Sequence, residues 1–158
     1  MYEKTTFGSN TRISVTSSKS QEHTILRHLI LPGLLENLSK NLHETYPQMF
    51  FESGIVFSKE DAIKETTSLA CVTASEETHF SEMKAVLQSL LRIGFNIKCE
   101  TKTLPNHALF SEGRVAEIIV NKKVVGYIGE LDSVVLENFR IRTRVVGFEI
   151  KLSGLIFD

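Results

Sequence analysis

Two cysteines in 158 residues leave no room for a disulfide framework, and they stand too far apart to be the halves of a Cys-x-x-Cys metal site. Cys71 and Cys99 each lie in an apolar, strand-like run, so both read as reduced thiols in a core, which fits a cytoplasmic protein. Charge of one sign is also missing. The 18 Lys and Arg against 19 Asp and Glu give a net charge of -1. No global field draws this chain to nucleic acid or to an acidic membrane, and any such contact has to be a local patch. No apolar run approaches the roughly 20 residues that cross a bilayer. The N-terminus carries Glu3 and Lys4 instead of a signal-peptide core, so a membrane partner is not expected.

The common signatures of chemistry are absent as well. There is no Gly-rich phosphate loop, no His-Glu-x-x-His and no Gly-x-Ser-x-Gly. His23 and His28 are five apart and would diverge on a helix, while His43, His79 and His107 stand alone in polar surroundings. A histidine needs converging partners to act as a ligand or a base, so no catalytic, metal or cofactor-binding residue is assigned.

What is present is enough apolar material, 42% of residues, for one core and too little for two. The expected organisation is a single domain over 12–158 behind a loosely held segment, 1–11. Its organising stretch runs from Ile25 to Phe57. Leu31, Leu34, Leu35, Leu38 and Leu42 recur at helical steps, and Pro32 sits where a first turn tolerates a missing N–H. Tyr46-Pro47-Gln48 marks a turn into a strand, the natural platform for that helix. On this strand Phe51, Ile55 and Phe57 share one face, and Phe50 and Val56 share the other, interrupted by Gly54.

Around this stretch, Ile13 and Val15 suggest a short strand, and the charged run Ser58 to Glu65 suggests an excursion between strands. Thr67 to Ala74 reads as a central strand. Phe80, Met83, Val86, Leu87, Leu90 and Leu91 predict a helix over 80–93, with Ser75 or Thr78 as N-cap and Gly94 as the left-handed residue that closes it. Phe95 to Thr103 alternates like a half-solvated strand, and Leu104 to Gly113 reads as a loop. Val115 to Val120 and Val124 to Glu130 form a hairpin around Asn121-Lys122-Lys123. A tight type I′ turn needs positive φ at both central residues, which Lys resists, so a three-residue turn is expected. Asp132 caps a brief helix over 133–139, and Val145 to Leu152 is the last strand. The fold class is α+β, a mainly antiparallel sheet flanked by helices that cover one side.

Two constellations carry charge. Glu52 interrupts an apolar strand and has to face solvent, a cleft or a cation such as Arg27; a structural Arg27–Glu52 ion pair is expected. Arg140, Arg142 and Arg144 would share one face of an extended segment. That stripe is either a solvated edge protected from aggregation or a contact for RNA phosphates or an acidic partner.

The residues that bear a family resemblance occur in order along the chain. Leu26-Arg27, Leu31-Pro32-Gly33-Leu34-Leu35, Tyr46-Pro47-Gln48 and Phe51-Glu52-x-Gly54 come first. They are followed by His79-Phe80-Ser81-Glu82-Met83-Lys84 and Ser111-Glu112-Gly113-Arg114-Val115-Ala116-Glu117. Gly126-Tyr127-Ile128-Gly129-Glu130-Leu131 and Val135-Leu136-Glu137-Asn138-Phe139 complete the series. Over about Ile13 to Leu152 the chain resembles the β subunit of phenylalanyl-tRNA synthetase, archaeal/eukaryotic type, in its C-terminal class II synthetase-like domain.

The resemblance implies an antiparallel sheet flanked by helices that packs against the catalytic α subunit and is not itself catalytic. ATP and magnesium would belong to that α subunit, and contact with tRNA would be indirect. In class II enzymes the strand matching Phe50 to Phe57 runs into a Phe-Arg-x-Glu signature whose arginine binds the ATP phosphate; Ser58 stands there in this chain. The later Gly-rich strand leading to a second ATP-binding arginine corresponds to Gly147-Phe148-Glu149-Ile150-Lys151-Leu152, which lacks the repeated glycines and the arginine. A full β subunit of this type carries further domains N-terminal to this one, including one that hydrolyses mischarged tRNA, and none is expected within these residues, nor is the long dimer-forming helix that opens a class II domain. Ser17-Ser18 replaces a typical Asn-Pro and Asp132-Ser133 a typical His-Pro. An alternative therefore stands beside the subunit reading: a free-standing paralogue that binds another protein or RNA, with a homo-oligomer compatible with either.

Overall fold

In the computed structural model, residues 13–14, 25–59 and 62–155 are described. The expected loose segment 1–11 and the Val15 end of the first strand lie outside them. Two short strands, β1 (Ile13–Ser14) and β2 (Ile25–Leu26), pair antiparallel. After them come α1 (Leu31–Lys40), β3 (Gln48–Lys59), β4 (Ile63–Ala74), α2 (Phe80–Phe95) and β5 (Glu100–Leu104). The chain continues through β6 (Phe110–Val120), β7 (Lys123–Leu131), α3 (Ser133–Asn138) and β8 (Val145–Lys151) to a closing 3-10 turn, Leu152–Gly154. Strands β3 to β8 form one six-stranded antiparallel sheet in the order β3-β4-β8-β7-β6-β5. The last strand therefore enters the middle, and β4 is interior, as its nearly continuous apolar run requires.

Alternation along the strands separates two cores. On one face, α1 buries Leu31, Leu34, Leu35 and Leu38 against Val56, Ala70, Val72 and Val145, with Val135 and Leu136 of α3 in the same cluster. On the other, α2 buries Met83, Leu87 and Leu91 against Cys71, Ile118, Ile128, Val146, Phe148 and Ile150. Each fully buried leucine contributes about 1.5–3 kcal/mol of transfer free energy. Helices thus cover both faces rather than the one expected, because neighbouring positions such as Cys71 and Val72 both carry apolar side chains.

Other expectations shift for local reasons. The charged excursion shrinks to the few residues between β3 and β4, because the hairpin ladder continues through Ser58↔Lys64 and Lys59↔Ile63. Helix α2 runs through Gly94, and Asn96 (φ 54°) takes the left-handed closing position, its N–H bonding to Arg92 O. His79, not Ser75 or Thr78, precedes the helix, and its side chain caps nothing. The strand expected from Phe95 begins only at Glu100, and Leu104 and Phe110 to Gly113 belong to strands. The β6–β7 turn is the tight one: Val120 pairs with Lys123, with Asn121 (φ 47°) and Lys122 (φ 65°) both left-handed. Pairing on both sides forces Lys122 into a conformation it disfavours.

Candidate functional site

The sheet face beneath α1 carries a polar row across the strands. Register sets Glu52 beside Ala70, Ala70 beside Glu149, and Glu149 beside Tyr127. Glu52 and Glu149 therefore share a face two strand spacings apart, about 10 Å between backbones. Arg27, just after β2, reaches across β3: its Nε donates to Ile55 O at 2.9 Å and its Nη1 to Glu52 Oε1. Gly54 makes this possible, since an added Cβ would overlap Nη2 and lie 3.3 Å from Cζ.

Glu149 was not singled out by the sequence reading, although it carries the same signal as Glu52, an acid inside an apolar strand. Its side chain meets the start of α1, where the N-cap residue Ile30 makes no side-chain cap bond of its own and no acidic residue occupies the first turn. Ile30 N donates to both carboxylate oxygens at 3.0 Å, and Leu31 N donates to Oε2 at 3.0 Å. The next residue is Pro32, which has no N–H, and Gly33 N and Leu34 N bond to Ile30 O. All the orphan donors of the first turn are thereby satisfied. Burial pushes Glu149 up from 4.5 to about 7, against the lowering effect of the Leu31 and Ile30 amides and of Arg27, with Glu52 adding a further upward push.

The three arginines take a different form from the one expected. Phe139 and Ile141 are buried while Arg140, Arg142 and Arg144 are exposed, so the burial alternates. The segment is nevertheless no strand, because Arg140 is left-handed (φ 59°) in the turn that ends α3. Arg144 Nε lies 3.4 Å from Glu130 Oε1, whose other oxygen pairs with Arg114 at 2.7 Å. Arg144 is thus part of a mixed-charge cluster with Glu130 and Arg114.

His107 departs from its expected polar setting. Its ring lies 4.5 Å from the Tyr127 ring and 5.1 Å from that of Phe110, and burial lowers its pKa. Leu109 N donates to its Nδ1 at 3.3 Å. It lines an open hollow with Asn106, Ala108, Phe110, Glu112 and Asp132, whose carboxylate is already engaged as the α3 cap. Cys71 is buried with its thiol pushed up to about 11, and Cys99 is half-buried and also raised by burial. Among the described residues no cluster of His, Cys, Asp and Glu could hold a metal ion, and no helix is long and apolar enough to cross a membrane.

The side of β3 facing away from α1, with the adjoining end of β4, carries large apolar side chains that stand exposed among the described residues. Phe51 is 76% exposed, Ile63 58%, Met49 54% and Ile55 47%. Of the two faces that the sequence left open, the helix lies on that of Phe50 and Val56, and Phe51 and Ile55 are on the opposite one. Strand β3 is also an edge of the sheet.

Residues 2–152 match the family profile described as phenylalanyl tRNA synthetase beta chain CLM domain. The phenylalanine--tRNA ligase beta subunit of Pyrococcus abyssi is 39% identical over 148 residues, 90% of this chain and 26% of its own. That of Methanocella arvoryzae is 36% identical, covering 92% of this chain and 27% of its own. That of Methanocaldococcus jannaschii is also 36% identical, covering 96% and 28%. The chain spans about a quarter of the length of these relatives. Two structures of pyrrolysyl-tRNA synthetase from Desulfitobacterium hafniense share the fold, with TM-scores of 0.70 and 0.74 at 16% and 17% identity. They cover 92% and 98% of this chain and 52% and 57% of their own. The ordered strands, the Leu-Pro-Gly-Leu-Leu helix and the profile match over nearly all its residues agree: the chain belongs to the phenylalanyl-tRNA synthetase β chain CLM-domain family.

Proposed function

We propose that this chain is a non-catalytic, class II synthetase-like domain, the C-terminal one of a phenylalanyl-tRNA synthetase β subunit, and that it serves phenylalanyl-tRNA formation by packing on the catalytic α subunit. The observation that carries the reading is the uncovered apolar side of β3 and β4. Four large apolar side chains there stand about half exposed or more, a pattern that marks a protein-binding surface. ATP, magnesium and the phenylalanine-activating chemistry belong to the α subunit, and the domain works in the cytoplasm as a single unit from residue 12 onward.

The other face argues against independent catalysis. Ser58 follows Glu52 and Gly54 on the α1 side of β3, where the resemblance calls for an arginine. The guanidinium at hand, that of Arg27, is already neutralised by Glu52. A triphosphate placed here would meet two carboxylates, Glu52 and Glu149, and, among the described residues of these strands, no guanidinium in register with them. The purified chain is therefore expected to show no ATP–pyrophosphate exchange with phenylalanine. Exchange above background in a preparation free of α subunit would refute that. Co-purification with the α subunit tests the packing itself.

A further inference from the structure

A carboxylate 119 positions away in sequence occupies the helix end that would otherwise attract an anion. The N-terminus of α1 has the two features that bind carboxylates and phosphates, converging amides and the positive end of the helix dipole. Here both oxygens of Glu149 take up those amides at 3.0 Å, and the residue is 7% exposed. We propose that Glu149 is an internal stopper, a carboxylate that the chain itself lodges at the start of α1 so that this sheet face accepts no external carboxylate or phosphate.

The groups around it fit that role. Arg27 and Glu52 form a neutral pair beside it, so Arg27 is not free to recruit a second anion. Helix α1 presents no acid in its first turn and its one cation in the last turn is Lys40. The strand partners of Glu149 are Ala70 and Tyr127. Inside the fold the stopper balances a desolvated charge against two amides and the Arg27 field. Burial places its titration near 7. A folded-state value raised above the ordinary 4.5 means that its contribution to stability is full below that value and is lost as the pH rises through about 7. The stopper goes beyond the subunit assignment and would hold whichever protein covers β3.

Chemical rescue tests it. Glu149→Ala leaves the Ile30 and Leu31 amides without an acceptor in a cavity the size of a small carboxylate. Its melting temperature should fall below that of the unaltered chain by several degrees. Formate should restore part of the loss, chloride at the same ionic strength should not, and the unaltered chain should respond to the two salts alike. Equal responses of Glu149→Ala to formate and chloride would overturn the proposal. If Glu149→Ala does not fold, Glu149→Gln, which keeps one acceptor oxygen and cannot titrate, takes its place. The melting temperature of the unaltered chain should then decline between pH 5 and pH 8 relative to Glu149→Gln, following the interval set by the shift from 4.5 to about 7. Parallel curves would show that no desolvated carboxylate sits at the start of α1.

Discussion

Replacing Leu87 with alanine is expected to lower the stability of the domain by about 2–5 kcal/mol, the range for truncating a fully buried leucine. Leu87 lies midway along α2 with no exposed surface and shares the second core with Met83, Leu91, Ile118, Ile128 and Phe148. Sheet and helix are both rigid there, so the space left by the lost atoms cannot close, and the cavity term adds to the transfer term. Urea unfolding of the two chains measures the difference. A cost below about 1 kcal/mol would mean that α2 does not bury this residue.

Gly126→Val should be at least as severe, costing about 3 kcal/mol or more, because it overpacks a place where two backbones meet. A Cβ at Gly126 would overlap the Glu149 carbonyl oxygen and lie 2.8 Å from Ile150 Cα. Backbone atoms in the middle of a ladder cannot swing aside as a side chain can. Strands β7 and β8 would have to part at the Gly126↔Ile150 pair, next to the residue that holds the start of α1. The loss should therefore reach both the ladder and the α1 contact. Protection from hydrogen exchange should drop at the Ile30 and Leu31 amides as well as along β7. A Gly126→Val chain with unchanged unfolding midpoint would contradict this close approach.

The parts of the structure that the sequence made legible are those where one signal dominates. Helical spacing located α1 and α2, apolar runs located β6, β7 and β8, and Asp132 announced the start of α3, where it accepts from Val134 N at 2.9 Å. The misreadings arose where two signals competed. Strand β3 is apolar on both faces, so periodicity could not say that Phe50 and Val56 face the core while Phe51 and Ile55 face outward. Gly94 looked like the end of α2, but the helix continues to Phe95, and Asn96 tolerates the left-handed conformation that closes it. Lys122 argued against a two-residue turn, yet ladder pairing on both sides outweighs the 1–2 kcal/mol that left-handed geometry costs, an order-of-magnitude figure. Glu149 shows the same signal as Glu52, an acid inside an apolar strand, but its partners could be recognised only once residues 30 and 149 were brought together in space.

The family assignment and the uncovered side of β3 lead to one testable claim, that this surface is where the α subunit packs. The most direct measurement is the affinity of the chain for the purified α subunit, compared between the unaltered protein and Phe51→Asp. Phe51 is 76% exposed, so the substitution should leave the melting temperature nearly unchanged. A charge placed at the centre of an apolar interface should weaken association by about tenfold or more. Association of the unaltered chain with that loss is the predicted result. Absence of association, or equal affinity in a folded Phe51→Asp chain, would contradict the account.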